Sequence, residues 1–413
     1  MSAFSTYSFL KEVFLKGVHD TFADNNVFLA NLKRDSEHII GGGSTMTWAI
    51  RDSRNSGVGA YPTGGPFPTA GVQGGVKPTS VTKNFAGSVS LDLKLMKQAK
   101  TDKQAFVNYM SDEMDNSTKD FKADLNRQIL NGHCLGTVGS VSGSIVTLST
   151  TATPRPTPVT LYFQDMVGAH VTVYDTDGTT VIVADTTVSS FSDTNGTVTL
   201  ASIGATGAGH IIARLSSTPS VEMTSIRSII GTGNLFGITA ADHVRYKGNV
   251  LTTQTDPTEA VLGYMRTLGA KNGAAFKFAL TSWGAQLNYV AIMADRKRAV
   301  NTIDLKGGYK TQKDADDKFS GPEFAGVGPI IADNYISAGV GANTAELLMI
   351  DPSCLAFQQA GEAEWMEDDK GNILFPTVGS PVFNCYYTWF ADLIAYNRNK
   401  LVRHTNINEM VAS

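Results

Sequence analysis

The sequence predicts an α+β chain built of several units, and three stretches carry that prediction. A helical stripe runs over roughly 101–130, a Gly- and Pro-rich segment spans Gly41 to Thr82, and the stretch from Thr137 to Thr218 contains no Lys and no Glu and is dominated by Thr, Val, Gly and Ser. At 413 residues the chain exceeds one ordinary core, so two or three units of roughly 100 to 200 residues are expected.

At the N-terminus, Leu10, Val13, Phe14, Val18 and Phe22 recur at helical spacing behind the caps Ser5 and Thr6. This amphipathic helix needs a partner surface. The Gly41–Thr82 segment cannot hold a helix, and a loop of such length inside a compact domain is usually functional. It is flanked by strand-like runs, Met46 to Ile50 and Val81 to Leu95, the latter alternating Val89, Leu91, Leu93 and Leu95. A long two-stranded arm closed at a Gly/Pro tip is the expectation.

The helical stripe comprises Phe106, Met110, Met114, Phe121, Leu125 and Ile129, with Asn131-Gly132 as a stop. At 1.5 Å per residue it spans on the order of 45 Å. The opposite face carries balanced charges, and the stripe is read as core packing rather than a cofactor site.

In 137–218, short β-rich runs at 144–148, 170–174, 180–184, 197–200 and 210–215 are separated by turns. Asp175-Thr-Asp-Gly178 and Asp193-Thr-Asn-Gly196 place Gly where φ must be positive. A small all-β sandwich or barrel is expected. Beyond Ser220 the pattern mixes. Asp256-Pro257-Thr258-Glu259 reads as a helix start capped by Asp256, and further elements are a strand at 276–280, a helix at 282–297 and strands at 328–332 and 347–350. A hairpin turning at Asp368–Gly371 precedes a closing strand-like section from Asn384 to Ile407.

Charged residues are only 17% of the chain, below the roughly 25% of average soluble proteins, so much of the surface is uncharged and can pack without desolvating many ions. A net charge of −4 offers no basic excess for reading nucleic acid. Cys134, Cys354 and Cys385 are far apart and unpaired in spacing, which points to a reducing compartment and to no zinc site. The first twenty residues lack a signal-peptide pattern and no run approaches a membrane span, so a soluble, cytosolic product is expected.

The order helix, glycine-tipped arm, long helix, β module, mixed domain and closing strand resembles the tailed-bacteriophage major capsid proteins, whose fold encapsulins share. Local strings carry the resemblance. RDSRNSGVGA at 51–60, followed by Gly64-Gly65 and PTAGVQ at 68–73, is similar to the family's arm, with Phe67 where Leu is common. GPIIAD at 328–333 resembles a short strand before the subunit-tip loops, and Trp389 to Ile407 resembles the closing segment.

The resemblance implies a tailed-phage capsid fold of N-terminal helix, extended β-hairpin arm, long spine helix, peripheral and axial domains and an inserted all-β domain. Its expected divisions are 1–45 (N-terminal arm and helix), 46–95 (extended arm), 96–136 with 353–413 (peripheral domain), 137–218 (inserted domain) and 219–352 (axial domain). It further implies self-assembly as hexamers and pentamers into an icosahedral or prolate shell that encloses double-stranded DNA without reading its sequence. Portal and decoration proteins are implied partners, as is a separate scaffolding protein, since the chain opens almost at its first helix. The expected location is the virion capsid, reached from the host cytoplasm.

The residues expected to carry assembly are Arg51, Arg54, Gly57, Gly59, Gly64 and Gly65 of the arm, with Lys77 and Lys83 flanking it; Val at Gly57 and Gly59 should impair assembly more than folding. Some capsids of this family link an arm Lys covalently to a neighbour's Asn. No catalytic carboxylate partner is visible here, so noncovalent contacts are expected. No enzyme, metal or cofactor is expected: the seven His are scattered without GxSxG, phosphate-loop patterns are missing, Asp175-x-Asp177-Gly178 lacks the distal ligands of a calcium loop, and Asp314, Asp316, Asp317 with Glu323 read as a solvated loop. Two alternatives stay open: an encapsulin-like compartment, and a glycan- or cell-surface-binding module on an unrelated α/β domain.

Overall fold

The computed structural model describes residues 33–35, 45–92, 103–299 except 157, 165, 216 and 219, and 322–410 except 325, 362, 368–372 and 378. The expected N-terminal helix, the acidic positions 314–317 and the turn at 368–371 lie outside these residues, as do the side chains of Phe106 and Met110.

Among the described residues, two six-stranded sheets and a closed barrel form the main architecture. The first sheet is built around Val382–Ala395, a 14-residue strand whose Trp389, Leu393 and Ile394 are buried. Lys83–Asp92 pairs antiparallel along 382–391, and Leu355–Gln359 pairs along 391–395. The alternation of Lys83–Asp92 sets its faces: Phe85, Val89 and Leu91 are buried while Ser88 and Ser90 are exposed. Phe121 of the helix Lys103–Asn131 covers this buried face, edge-on to Tyr387 at 5.1 Å. Because Lys83–Asp92 belongs to the sheet, the arm itself is confined to about 45–82.

The expected hairpin before the central strand differs in its pairing. Glu364–Trp365 and Phe375–Pro376 each pair with Val382–Ala395, at Thr388 and Tyr387 and at Asn384 and Phe383.

The second sheet runs in the order 249–251, 402–408, 344–350, 278–281, 328–332, 323–324. Its central strand Thr344–Ile350 is buried at all seven positions, including Glu346, whose carboxylate receives Arg227 at 2.8 Å and Arg403 at 2.6 Å. The pairing offsets the desolvation of a buried charge. Helices Glu259–Ala270 and Trp283–Ala299 pack on this sheet through Leu262, Met265, Ala285 and Tyr289. The cap of the first is Thr258, whose hydroxyl accepts from the Val261 amide, and not Asp256. Asp256 instead accepts from Asn408 at the sheet end, which leaves Pro257 ahead of the cap.

The closing section is two strands, not one. Val402–Asn408 lies in the second sheet beside Thr344–Ile350, so the stretch 353–413 is shared between both sheets. The break is made by Arg398, which is buried and donates to the carbonyls of Ile229, Gly233, Ser228 and Gly231 at 2.7 to 3.2 Å while lying over the Tyr246 ring. Four carbonyls at the end of the short helix Ile226–Ile229 thereby hold a buried cation and turn the chain from one sheet to the other.

The barrel closes in the order 181–192, 197–200, 145–148, 136–142, 211–214, 170–174. Its interior is filled by Val138, Val146, Phe163, Val173, Val188, Leu200 and Ile212. Gly178 and Gly196 hold φ of 71° and 61° in its turns. The carboxylate of Asp177 accepts from the Thr179 and Thr180 amides and the Thr180 hydroxyl, the arrangement of an Asx turn.

Candidate assembly interface

The arm is anchored at its root and bare beyond it. Thr45–Thr47 pairs with Thr79–Val81, and Ile50–Arg51 pairs with Gly75–Val76. Met46 and Trp48 are buried in the main core. Phe236, held at φ 53° next to Gly237 at φ 75°, meets Trp48 edge-on at 5.1 Å, and its carbonyl accepts from the Thr79 amide at 3.0 Å. His243 contacts Asp52 at 2.8 Å, and the Ser80 hydroxyl donates to Asp392 at 2.5 Å. Asp392 also accepts from the Thr224 amide and hydroxyl. Burial pushes its carboxyl above the usual range, and these hydrogen bonds oppose that rise.

Past Asp52 the arm has no core of its own. Val58, Phe67 and Val72 expose 83%, 77% and 87% of their surface, and Tyr61, 4.8 Å from Phe67, is half exposed. Residues 53–78 carry Arg54 and Lys77 and no carboxylate. The backbone is shaped locally. Asn55 accepts from the Gly57 amide, the Ser53 amide reaches the Gly74 carbonyl at 3.2 Å, and Gly65 donates to Pro62 across a turn in which Gly64 holds φ 79°. The ribbon past Asp52 thus presents an apolar, weakly cationic surface to solvent.

The expected assembly residues fall into four groups. Arg51, Arg54 and Lys77 are exposed on the arm, and Arg51 donates to the Ser53 carbonyl. Gly57, Gly64 and Gly65 are required by the backbone: a Cβ on Gly57 would meet the Gly71 amide at 2.6 Å, and one on Gly65 would meet Pro62 Cγ at 2.6 Å. Gly59 is different, since a Cβ there meets only Pro68 Cγ at 3.8 Å, an ordinary contact. Lys83 stands apart from the arm; its amine donates to the Ser220 carbonyl at the edge of the first sheet. Sequence reasoning missed Gly71, Phe236, His243 and Asp392. The string 68–73 contains Gly71, but His243 and Asp392 lie 191 and 312 residues from their arm partners and leave no local signal.

Elsewhere, a surface cleft of about 420 Å³ lies among Gln254, Asp256, Asn288, Asn343, Asn408 and Glu409. Its polar groups are engaged within the chain, Gln254 on Asn408, Asn408 on Asp256 and Ser282 on Glu409. Among the described residues, no group of three or more His, Cys, Asp or Glu converges as a metal site would.

No protein-family model matches the chain, and no curated protein matches it. Solved structures do. The cyanophage A-1(L) capsid asymmetric unit superimposes with a TM-score of 0.55 at 9% identity, over 96% of each chain. The holo-SrpI encapsulin complex from Synechococcus elongatus PCC 7942 gives a TM-score of 0.47 at 7% identity, over 98% of this chain and 97% of that one. The capsid of Myoviridae phage XM1 gives 0.46 at 8%, over 97% and 98%. The likeness that carries weight is the first: over nearly its whole length, this chain has the mixed α+β fold of that phage capsid chain.

Proposed function

We propose that this protein is the major capsid protein of a tailed bacteriophage, a structural subunit that self-assembles into the shell around packaged double-stranded DNA. The observation that carries this is the arm: a rooted ribbon whose Val58, Phe67 and Val72 face solvent in the single chain. Ordering such a ribbon costs on the order of 1 to 2 kcal/mol per residue, and a contact repeated by symmetry around a shell offsets it. The phage-capsid fold over 96% of the chain supports the same reading.

In this reading Lys103–Asn131 is the spine helix, the first sheet is the peripheral domain, the second sheet with its two helices is the axial domain, and the barrel is an inserted domain. The subunit acts without catalysis, as hexamers and pentamers, with scaffolding, portal and decoration proteins as further partners, in the virion. A cellular encapsulin-like compartment is the second reading, supported by the shared fold class. Electron microscopy of the purified product tests both. Closed shells or capsomer rings are expected, and DNA within native particles selects the phage reading; particles holding an enzyme cargo and no DNA select the other.

A further inference from the structure

We propose that the barrel is an internal brace, locking the end of the long helix to residues 333–339 of the loop that joins strands Gly328–Ala332 and Thr344–Ile350. The chain enters and leaves the barrel near one end of the helix. Arg214 reaches Asp124 at 2.9 Å on the way out, and Arg127 reaches Glu222 at 3.0 Å. Burial opposes ionisation of Asp124, but the two guanidinium groups hold its carboxyl well below the usual range. A module held there alone could pivot on its two connections.

A second attachment, built from other residues, removes that freedom. In the short turn Leu161–Phe163, Phe163 is fully buried in the barrel core while its neighbour Tyr162 stacks on Tyr335 of the loop, with ring centroids 5.7 Å apart and planes 11° from parallel. The side-chain Nδ2 of Asn131, the last residue of the helix, donates to both the Tyr162 hydroxyl and the Tyr335 carbonyl. Tyr335 borders the main core and the barrel core at once.

Arg155 completes the joint. Its backbone amide donates to Ser337 Oγ at 3.1 Å, its carbonyl accepts from the Ala338 amide at 2.9 Å, and its guanidinium donates to the Gly339 carbonyl at 3.0 Å. Ser337 Oγ, the Ala338 amide and the Gly339 carbonyl of the loop thus take their partners from the barrel segment, while Asp333 and the Gly339 amide are held by the helix and the second sheet. Two attachments on different residues fix an orientation, which a freely hinged surface module would not need.

Segment-resolved amide hydrogen exchange on the full-length chain tests this with Arg155→Ala and Tyr335→Ala. Exchange at Ala338 and Gly339 should accelerate on the order of tenfold or more in each variant, with barrel amides in 171–174 and 197–200 unchanged. Should Tyr335→Ala fail to fold, Arg155→Ala, which keeps the ring stack, decides alone. Unchanged exchange at 338–339, or equal acceleration of loop and barrel, overturns the proposal.

Discussion

Gly57 and Gly71 face one another across the arm so closely that a Cβ added to either would lie 2.6 Å from the other's backbone nitrogen. No side chain fits that gap without moving backbone, so Gly57→Val and Gly71→Val should splay the arm. The site lies on a solvent-exposed ribbon outside every core cluster, so the thermal midpoint of the unassembled subunit should stay where it is, while particle yield falls on the order of tenfold or more. Gly59→Val, with room around it, should assemble nearly normally. Equal yields from all three variants would remove the arm's backbone geometry from the account.

Acid–base behaviour should show two opposed buried groups. Burial pushes Asp333 up to about 6, against its hydrogen bonds from the Tyr335 amide and Asn126. Its favourable neutral form is fully present below pH 4, and that stability is lost as pH rises through about 6. Burial pushes His404 down to about 4. Its Nδ1 accepts from the Asn406 amide, so the ring is neutral, and stability is lost as pH falls from about 6.5 toward 4. Relative to the unaltered chain, the urea midpoint of Asp333→Asn should rise between pH 4 and 7, and that of His404→Gln should rise between pH 7 and 4. Parallel profiles for all three would contradict both assignments.

Arg398 is a third test. Replacing it by Met keeps much of the apolar stem but removes the guanidinium from the carbonyls of Ile229 and Gly233, while those of Ser228 and Gly231 keep the Gly231 and Gly248 amides. A destabilisation of about 3 kcal/mol is expected from chemical denaturation, with Arg398→Lys recovering only part of it. A loss below about 1 kcal/mol would mean that water replaces the guanidinium easily.

What the sequence made legible was local. The turns at Asp175–Gly178 and Asp193–Gly196 were readable because a positive φ after Asp and Asn is a property of four consecutive residues, and Gly178 and Gly196 adopt it. The alternation at Val89 and Leu91 was readable for the same reason. Choices between nearby alternatives were less so: Asp256 and Thr258 are both competent caps, and the pull of Asn408 on Asp256, 152 residues away, decides between them. Lys83 looked like an arm residue by position, yet pairing with Ala391 draws it into the first sheet. The strand-like run after Asn384 hid its break, since the four carbonyls that bury Arg398 come from 165 to 170 residues earlier.

The central claim, that this chain is built to assemble, is tested most directly by its mass in solution. Size-exclusion chromatography with light scattering on the purified full-length chain should show rings or shells many times the 44.1 kDa of one subunit. Removing residues 53–74 of the arm should collapse them to capsomers or monomers. A well-behaved 44.1 kDa monomer at every concentration and salt would contradict the account.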